Sequence, residues 1–320
     1  MRKTALIVAA VSLVTLSGRT AAGFGVSDKG TSGAQFLKIA PSARPAGMGE
    51  AFAGVADDIS ALYYNPAGIG TLKRVEVAGS HTALFQGINY EHAAVVVPLL
   101  SWVDTKQARN AYGVMGLAIY NLSVTDIERR GTTETDTATE TFGSSDFAYA
   151  LSYGYQVPDS GLSLGLTAKG VDTKLDTAHG SAFGADAGLL YRAGRAGFGF
   201  GVRNFGTKQK LGTAADPLPL LVFSGLGYKF SDTLLGSVEL DAPRDNKIGF
   251  AIGGEYRKDF IDKLGAAMRV GYNSKNTDAG GMAGMAFGVG LRYGNFDFDF
   301  ALVPFGDLGN AYKYSLQVKF

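Results

Sequence analysis

The chain has 320 residues, of which 46% are apolar and 18% charged, and a formal net charge of +1. That balance excludes an electrostatic nucleic-acid binder, and the absence of cysteine excludes disulfides, thiolate metal sites and cysteine nucleophiles. Glycine is the outlier at 45 residues, about twice the usual share, and it is scattered through alternating apolar segments with no collagen-like period.

Arg2 and Lys3 precede the apolar run TALIVAAVSLVTL at residues 4–16, and SGRTAA then supplies small residues suited to cleavage after Ala22. The run is too short to cross a hydrocarbon layer of about 30 Å, so residues 1–22 read as a cleaved secretory signal. Residues 23–73 form a compact, small-residue segment, with Gly47 and Gly49 at its centre. Asp57 or Asp58 is placed to cap a short helix, which Asn65-Pro66 then stops.

From Arg74 onward the apolar period is two. In DFAYALSYGYQV, for example, Phe147, Tyr149, Leu151, Tyr153, Tyr155 and Val157 share one face. About 14 such segments occur, over 74–84, 89–98, 110–124, 142–157, 161–176, 181–193, 196–206, 217–230, 232–242, 247–258, 263–274, 283–293, 295–304 and 311–320. Most are long enough to cross a bilayer at a tilt near 45°, and their count is even, as in bacterial outer-membrane barrels. Short turns follow even-numbered strands and the longer, polar loops mostly follow odd ones. The expected fold is therefore an all-β membrane protein, a closed antiparallel barrel over residues 74–320 in the bacterial outer membrane.

The final strand, YKYSLQVKF, puts Tyr312, Tyr314, Leu316, Val318 and Phe320 on one side and Lys313, Ser315, Gln317 and Lys319 on the other. It resembles the C-terminal signature of outer-membrane barrels, which the barrel-assembly machinery recognises. With aromatics toward outer-membrane lipid, the opposite register places Asp186, Arg203, Glu239, Asp241, Glu255, Arg269, Asp297 and Asp299 in the lumen, where mixed charges are expected to pair. Strands 2, 3 and 8 are apolar on both faces, and Val95, Val97, Met115, Leu117, Ile119, Leu221 and Phe223 are expected to form an apolar lumen patch. That patch either packs on a plug or binds a greasy ligand.

No catalytic motif emerges. The glycine-rich stretches lack a phosphate-loop setting, the three histidines are far apart in sequence, and no Gly-x-Ser-x-Gly elbow is present. Neither an enzyme, a metal site nor a cofactor is expected.

GAQFLKIAPSARPAGMGEAFAGVADDISALYYNPAGIGTL, residues 33–72, resembles the N-terminal region of the PorV/PorQ family, a branch of the FadL-like (OMPP1/FadL/TodX) outer-membrane barrels. The matching elements are Phe36-Leu37, Ser42-Ala43-Arg44, Gly47-Met48-Gly49, Ala56-Asp57-Asp58 and Asn65-Pro66-Ala67. The resemblance implies that residues 23–73 fold into the lumen of a 14-stranded barrel as a hatch. FadL-like relatives imply a passive channel or carrier for small hydrophobic molecules. PorV-like relatives imply instead an accessory that docks or shuttles proteins exported by a secretion system. A general porin or structural protein is the further alternative.

Overall fold

The computed structural model describes residues 28–99, 112–261, 263–275 and 280–320. The expected signal, residues 1–22, lies outside them.

Fourteen antiparallel strands close into one barrel. In the first half these are β1 (Glu76–Ala83), β2 (Asn89–Pro98), β3 (Val114–Arg129), β4 (Glu140–Gln156), β5 (Leu162–Leu175), β6 (Ala178–Ala193) and β7 (Ala196–Gly206). After a hairpin of β8 (Lys208–Leu211) and β9 (Ala214–Pro217) come β10 (Leu221–Lys229), β11 (Leu234–Pro243), β12 (Gly249–Ile261) and β13 (Leu264–Asn273). β14 (Met285–Tyr293), β15 (Phe296–Pro304) and β16 (Asn310–Lys319) complete the wall. β16 closes it by pairing with β1 from Glu76↔Lys319 to Ala83↔Tyr312, so the barrel has no free edge.

Period-two alternation explains both faces. Along β16, Tyr312, Tyr314 and Leu316 point outward and are exposed, while Lys313 and Gln317 are buried inside. Leu166, Phe200, Leu240, Ile252, Val289 and Phe298 continue the exposed apolar face around the barrel. An apolar belt of that extent does not face water on a soluble monomer; it is the face that meets lipid. Most of the tight turns lie at one end, where Gly194 and Gly294 adopt φ of 60° that an L side chain rarely takes. We call this the turn end and the opposite one the loop end.

The segment before β1 lies inside the barrel. It contains 3₁₀ turns at Gln35–Lys38 and Pro66–Thr71 and two short helices, α1 (Ala43–Gly47) and α2 (Ala61–Tyr64). It starts against the β8–β9 hairpin at the loop end, where the Gly33 amide donates to the Pro217 carbonyl at 2.9 Å. It leaves at the turn end, with Gly70 against the backbone at Tyr155. The contact with the wall is backbone to backbone in places: a Cβ on Gly271 would sit 2.0 Å from the Gly49 nitrogen. This is the close approach that makes inward glycines necessary. We call this segment the hatch.

Two sequence-based expectations need correction. Met115, Leu117 and Ile119 are exposed on the outer face, and Val95 and Val97 lie on the outward register of β2. The inner face of β2 and β3 is instead His92, Ala94 and Val96 with Val114, Gly116, Ala118 and Tyr120. Packing decides this: a Cβ on Gly116 would come 2.4 Å from Leu62 Cδ2 of the hatch, so the small residues must face inward and the long ones lipid. Phe223 is fully buried on the inner face, and Leu221 shares its register. The second correction concerns residues 207–216, read as polar loop: residues 208–217 form the β8–β9 hairpin, and the next strand starts at Leu221 rather than at residue 217.

Candidate functional site

The hatch is held by two unlike sides of the lumen. Toward β10–β16 it is held by charge. α1 carries Arg44 at 6% exposure. Its Nε and Nη2 donate to the two Glu255 carboxylate oxygens, each at 2.9 Å. Nη1 donates to Asp57 at 2.6 Å and to Asp58 at 2.5 Å. Glu255 on β12 also accepts from Arg269 Nε of β13 at 2.6 Å, and Arg269 Nη1 reaches Asp299 of β15 at 2.7 Å. A hatch arginine is thereby joined to a chain of wall charges spanning several strands. In so dry a setting an ion pair is kept only when its remaining hydrogen bonds are satisfied.

Backbone groups are latched as well. Glu239 Oε2 accepts from the Phe52 and Ala53 amides, both at 2.8 Å. Arg192 donates to the Val55 and Ala56 carbonyls at 3.0 and 3.2 Å. Asn273 Nδ2 donates to the Gly49 carbonyl at 3.0 Å, and Lys313 Nζ donates to the Ala40 carbonyl. Backbone polar groups buried in a barrel must find such partners. At the loop end Lys38 and Gln35 donate to Asp245 Oδ2 at 2.5 and 3.0 Å. Burial raises the Asp245 carboxyl, but the hydrogen bonds from Lys38 and Gln35 outweigh it and hold the group below the usual carboxylate range.

Toward β2–β6 the hatch is held mainly by apolar packing, beside the hydrogen bonds that Arg192 and Leu189 of β6 make to it. Phe36, Leu37, Ile59, Leu62 and Tyr64 form one core with Tyr90, Val96, Val114, Tyr120 and Leu190 of the wall. Tyr63 meets Tyr64 edge to face at 5.0 Å, and His92 stacks on Tyr120 at 4.9 Å. The Tyr63 hydroxyl donates to the Leu37 carbonyl at 3.0 Å. The hydroxyls of Tyr64, Tyr90 and Tyr120 are buried and have no hydrogen-bond partner among the described residues. Arg203 marks the border between the two sides, its guanidinium 4.9 Å from the centre of the Phe223 ring and 5.4 Å from that of Tyr63.

The sequence-predicted hatch residues divide by role. Gly47 and Gly49 allow close approach to the wall. Asp58 accepts from the Ser60 amide at 2.8 Å just before α2, whereas Asp57 is spent on Arg44. Asn65 Oδ1 accepts from the Ala67 amide at 3.2 Å, so Asn65-Pro66 ends α2 and also starts the following 3₁₀ turn. Asn65 Nδ2 meanwhile ties Ala53 to Leu189 of β6 through their carbonyls, at 3.0 and 3.1 Å. Sequence reasoning placed Glu239, Glu255 and Arg269 in the lumen but did not connect them to the hatch. Arg44, inside the Ser42-Ala43-Arg44 element, was the available signal. Between hatch and wall, beside Arg44, Asp58, Ser80 and His92, lies a small cavity of about 10 Å³, the least that holds one water.

Residues 11–183 match the uncharacterised protein family UPF0164. No protein with a curated description matches the chain. Among solved structures, it is similar to the toluene transporter TbuX of Ralstonia pickettii, with 13% identity over 87% of this chain and 98% of that one and a TM-score of 0.59. The Pseudomonas putida toluene transporter TodX gives 12% identity, 87% and 96% coverage and a TM-score of 0.56. A Pseudomonas aeruginosa FadL homologue gives 10% identity, 93% and 99% coverage and a TM-score of 0.53. At these identities the likeness is one of fold.

Proposed function

For this chain, which belongs to the uncharacterised protein family UPF0164, we propose the role of a bacterial outer-membrane channel that admits small hydrophobic molecules past its hatch. The reading carries with it a cleaved signal at residues 1–22, the turn end toward the periplasm and the loop end outward. The observation that carries it is the apolar seam between the hatch and β2–β6, with tyrosine hydroxyls that have no partner among the described residues. A hydrophobic solute entering that seam exchanges one set of apolar contacts for another, at little net cost. A monoaromatic such as toluene, the compound in the names of the TbuX and TodX neighbours, is of the right kind. A water-filled general porin fits less well, because the hatch occupies the lumen at mid-height. The role is one of passage, with no catalytic step.

The test compares uptake of radiolabelled toluene and of a polar dye by cells with and without the protein. Faster toluene entry with no gain for the dye is expected; equal toluene entry in both strains overturns the reading. The second reading, a PorV-like accessory docking exported proteins, is favoured by the resemblance of residues 33–72. Co-purification of exported proteins or secretion components with the intact barrel, absent from a matched control barrel, would select it.

A further inference from the structure

The charged wall ends in a second feature that hydrophobe passage does not use. At the turn end a cavity of about 290 Å³ is bordered by Arg74, Asp259, Lys263, Arg292, Asp297 and Lys319. Arg292 and Asp297 are direct register partners on β14 and β15. Arg292 Nε donates to Asp297 at 2.8 Å, Lys319 Nζ lies 3.0 Å from the same carboxylate, and Asp259 is 3.8 Å from Arg292. Arg74, at the exit of the hatch, and Lys263, at the start of β13, are both exposed. Neither has a carboxylate within ion-pair distance among the described residues. Among the described residues four cations thus line the cavity with two carboxylates, and that excess of positive charge sits on Arg74 and Lys263.

We infer that this cavity binds a small phosphate-bearing solute from the periplasmic side. A phosphate monoester carries close to two negative charges at neutral pH, which matches the excess. An arginine fork beside a lysine point charge is a recurrent way to hold phosphate oxygens. A water takes about 30 Å³, so the volume accommodates a phosphate with a short organic part. The excess positive charge rejects a metal cation, and the charged lining rejects a hydrophobe. Arg292, Asp297 and Lys319 belong to the inward register of their strands, so the phosphate of a lipid headgroup would have to leave its leaflet to reach them. A soluble phosphate reaches them directly.

The full chain in nanodiscs of zwitterionic lipid is titrated with glycerol phosphate by calorimetry. Saturable one-to-one binding is expected, weakened about tenfold by either Arg74→Ala or Lys263→Ala, as for loss of one charge-assisted contact. Arg74→Lys, which keeps the charge but not the fork, should fall between the parent and Arg74→Ala. Both alanine substitutions are at exposed positions, and the heat-dependent gel shift of a folded barrel checks that each variant is intact. Absence of saturation at millimolar ligand overturns the inference, as does equal affinity in the Arg74→Ala/Lys263→Ala double variant. Discs containing phosphatidylglycerol supply the remaining arm. Retained glycerol phosphate binding supports a soluble ligand, and its loss there overturns the assignment in favour of a lipid headgroup.

Discussion

Replacing Arg44 by alanine should loosen the hatch without dissolving the barrel. The substitution strips one guanidinium from three carboxylates, Asp57, Asp58 and Glu255. Removing one partner of a buried ion pair costs about 3–5 kcal/mol. Three details place this case at the low end. Glu255 keeps Arg269 at 2.6 Å, Asp58 keeps the Ser60 amide at 2.8 Å, and the Asp57 side chain is 28% exposed and so within reach of water. A cost of about 3 kcal/mol multiplies the population with a displaced hatch by about a hundred, at tenfold per 1.4 kcal/mol. Amide hydrogen exchange in nanodiscs reads this directly: protection over residues 43–65 should fall by about two orders of magnitude while that of β3–β6 holds. Arg44→Lys should fall between, since an ammonium cannot engage Glu255 bidentately. Two results would refute the reasoning. One is hatch protection within about threefold of the parent. The other is an equal loss in hatch and wall, which would mean that the pairs hold the barrel and not the hatch.

Three further outcomes follow from particular contacts. Gly271→Leu places a side chain where Gly49 now lies, because even a Cβ there comes 2.0 Å from the Gly49 nitrogen; a folded barrel whose hatch is cleaved by added protease is expected, and an uncleaved hatch would count against the close-packing account. Ile119→Arg, on the lipid face at 47% exposure, should lower barrel stability by about 2–4 kcal/mol if it lies near the bilayer midplane, measurable as an earlier urea midpoint of refolding into vesicles. For the loop-end latch, the folded Asp245 carboxyl lies below its ordinary value, so its contribution is present above an unfolded pKa of about 3.9 and is lost as pH falls through the folded one. Pepsin cutting at Phe36-Leu37 should therefore rise steeply as pH drops below about 4, and Asp245→Asn should flatten that rise.

The strands were legible because a two-residue period and short glycine turns are local signals. β2 and β7 fall on the residues the alternation selects. Which face of β2 and β3 looks inward was not legible, since both faces are apolar. The decision is made by Leu62 of the hatch meeting Gly116, and no local pattern encodes that encounter. The latch was half legible. Register alone puts Glu239, Glu255 and Arg269 inside, but Arg44 and Glu255 are 211 residues apart. The β8–β9 hairpin is too short to show a period, and its Gln209 is buried because it accepts the Ala34 amide at 2.8 Å.

The two sides of the lumen differ in what it costs to part them, and in the proposed channel that difference sets which side of the hatch gives way. Ion pairs are short-range and directional, so separating Arg44 from Glu255 loses the interaction before anything else can replace it. Apolar contact is non-directional and scales with area, at about 25 cal/mol per Å² returned to water. Water is therefore a poor wedge for the seam against β2–β6, whereas a hydrophobic solute covers the same area and removes most of the penalty. Under the proposed channel role the charged side is the hinge and the apolar side the part that yields, to greasy molecules in preference to water. Cutting the hinge should abolish that selectivity. Cells carrying Arg44→Ala should admit a polar dye that the parent excludes, and a variant that remained dye-tight with a deprotected hatch would show that the ion pairs are not the hinge.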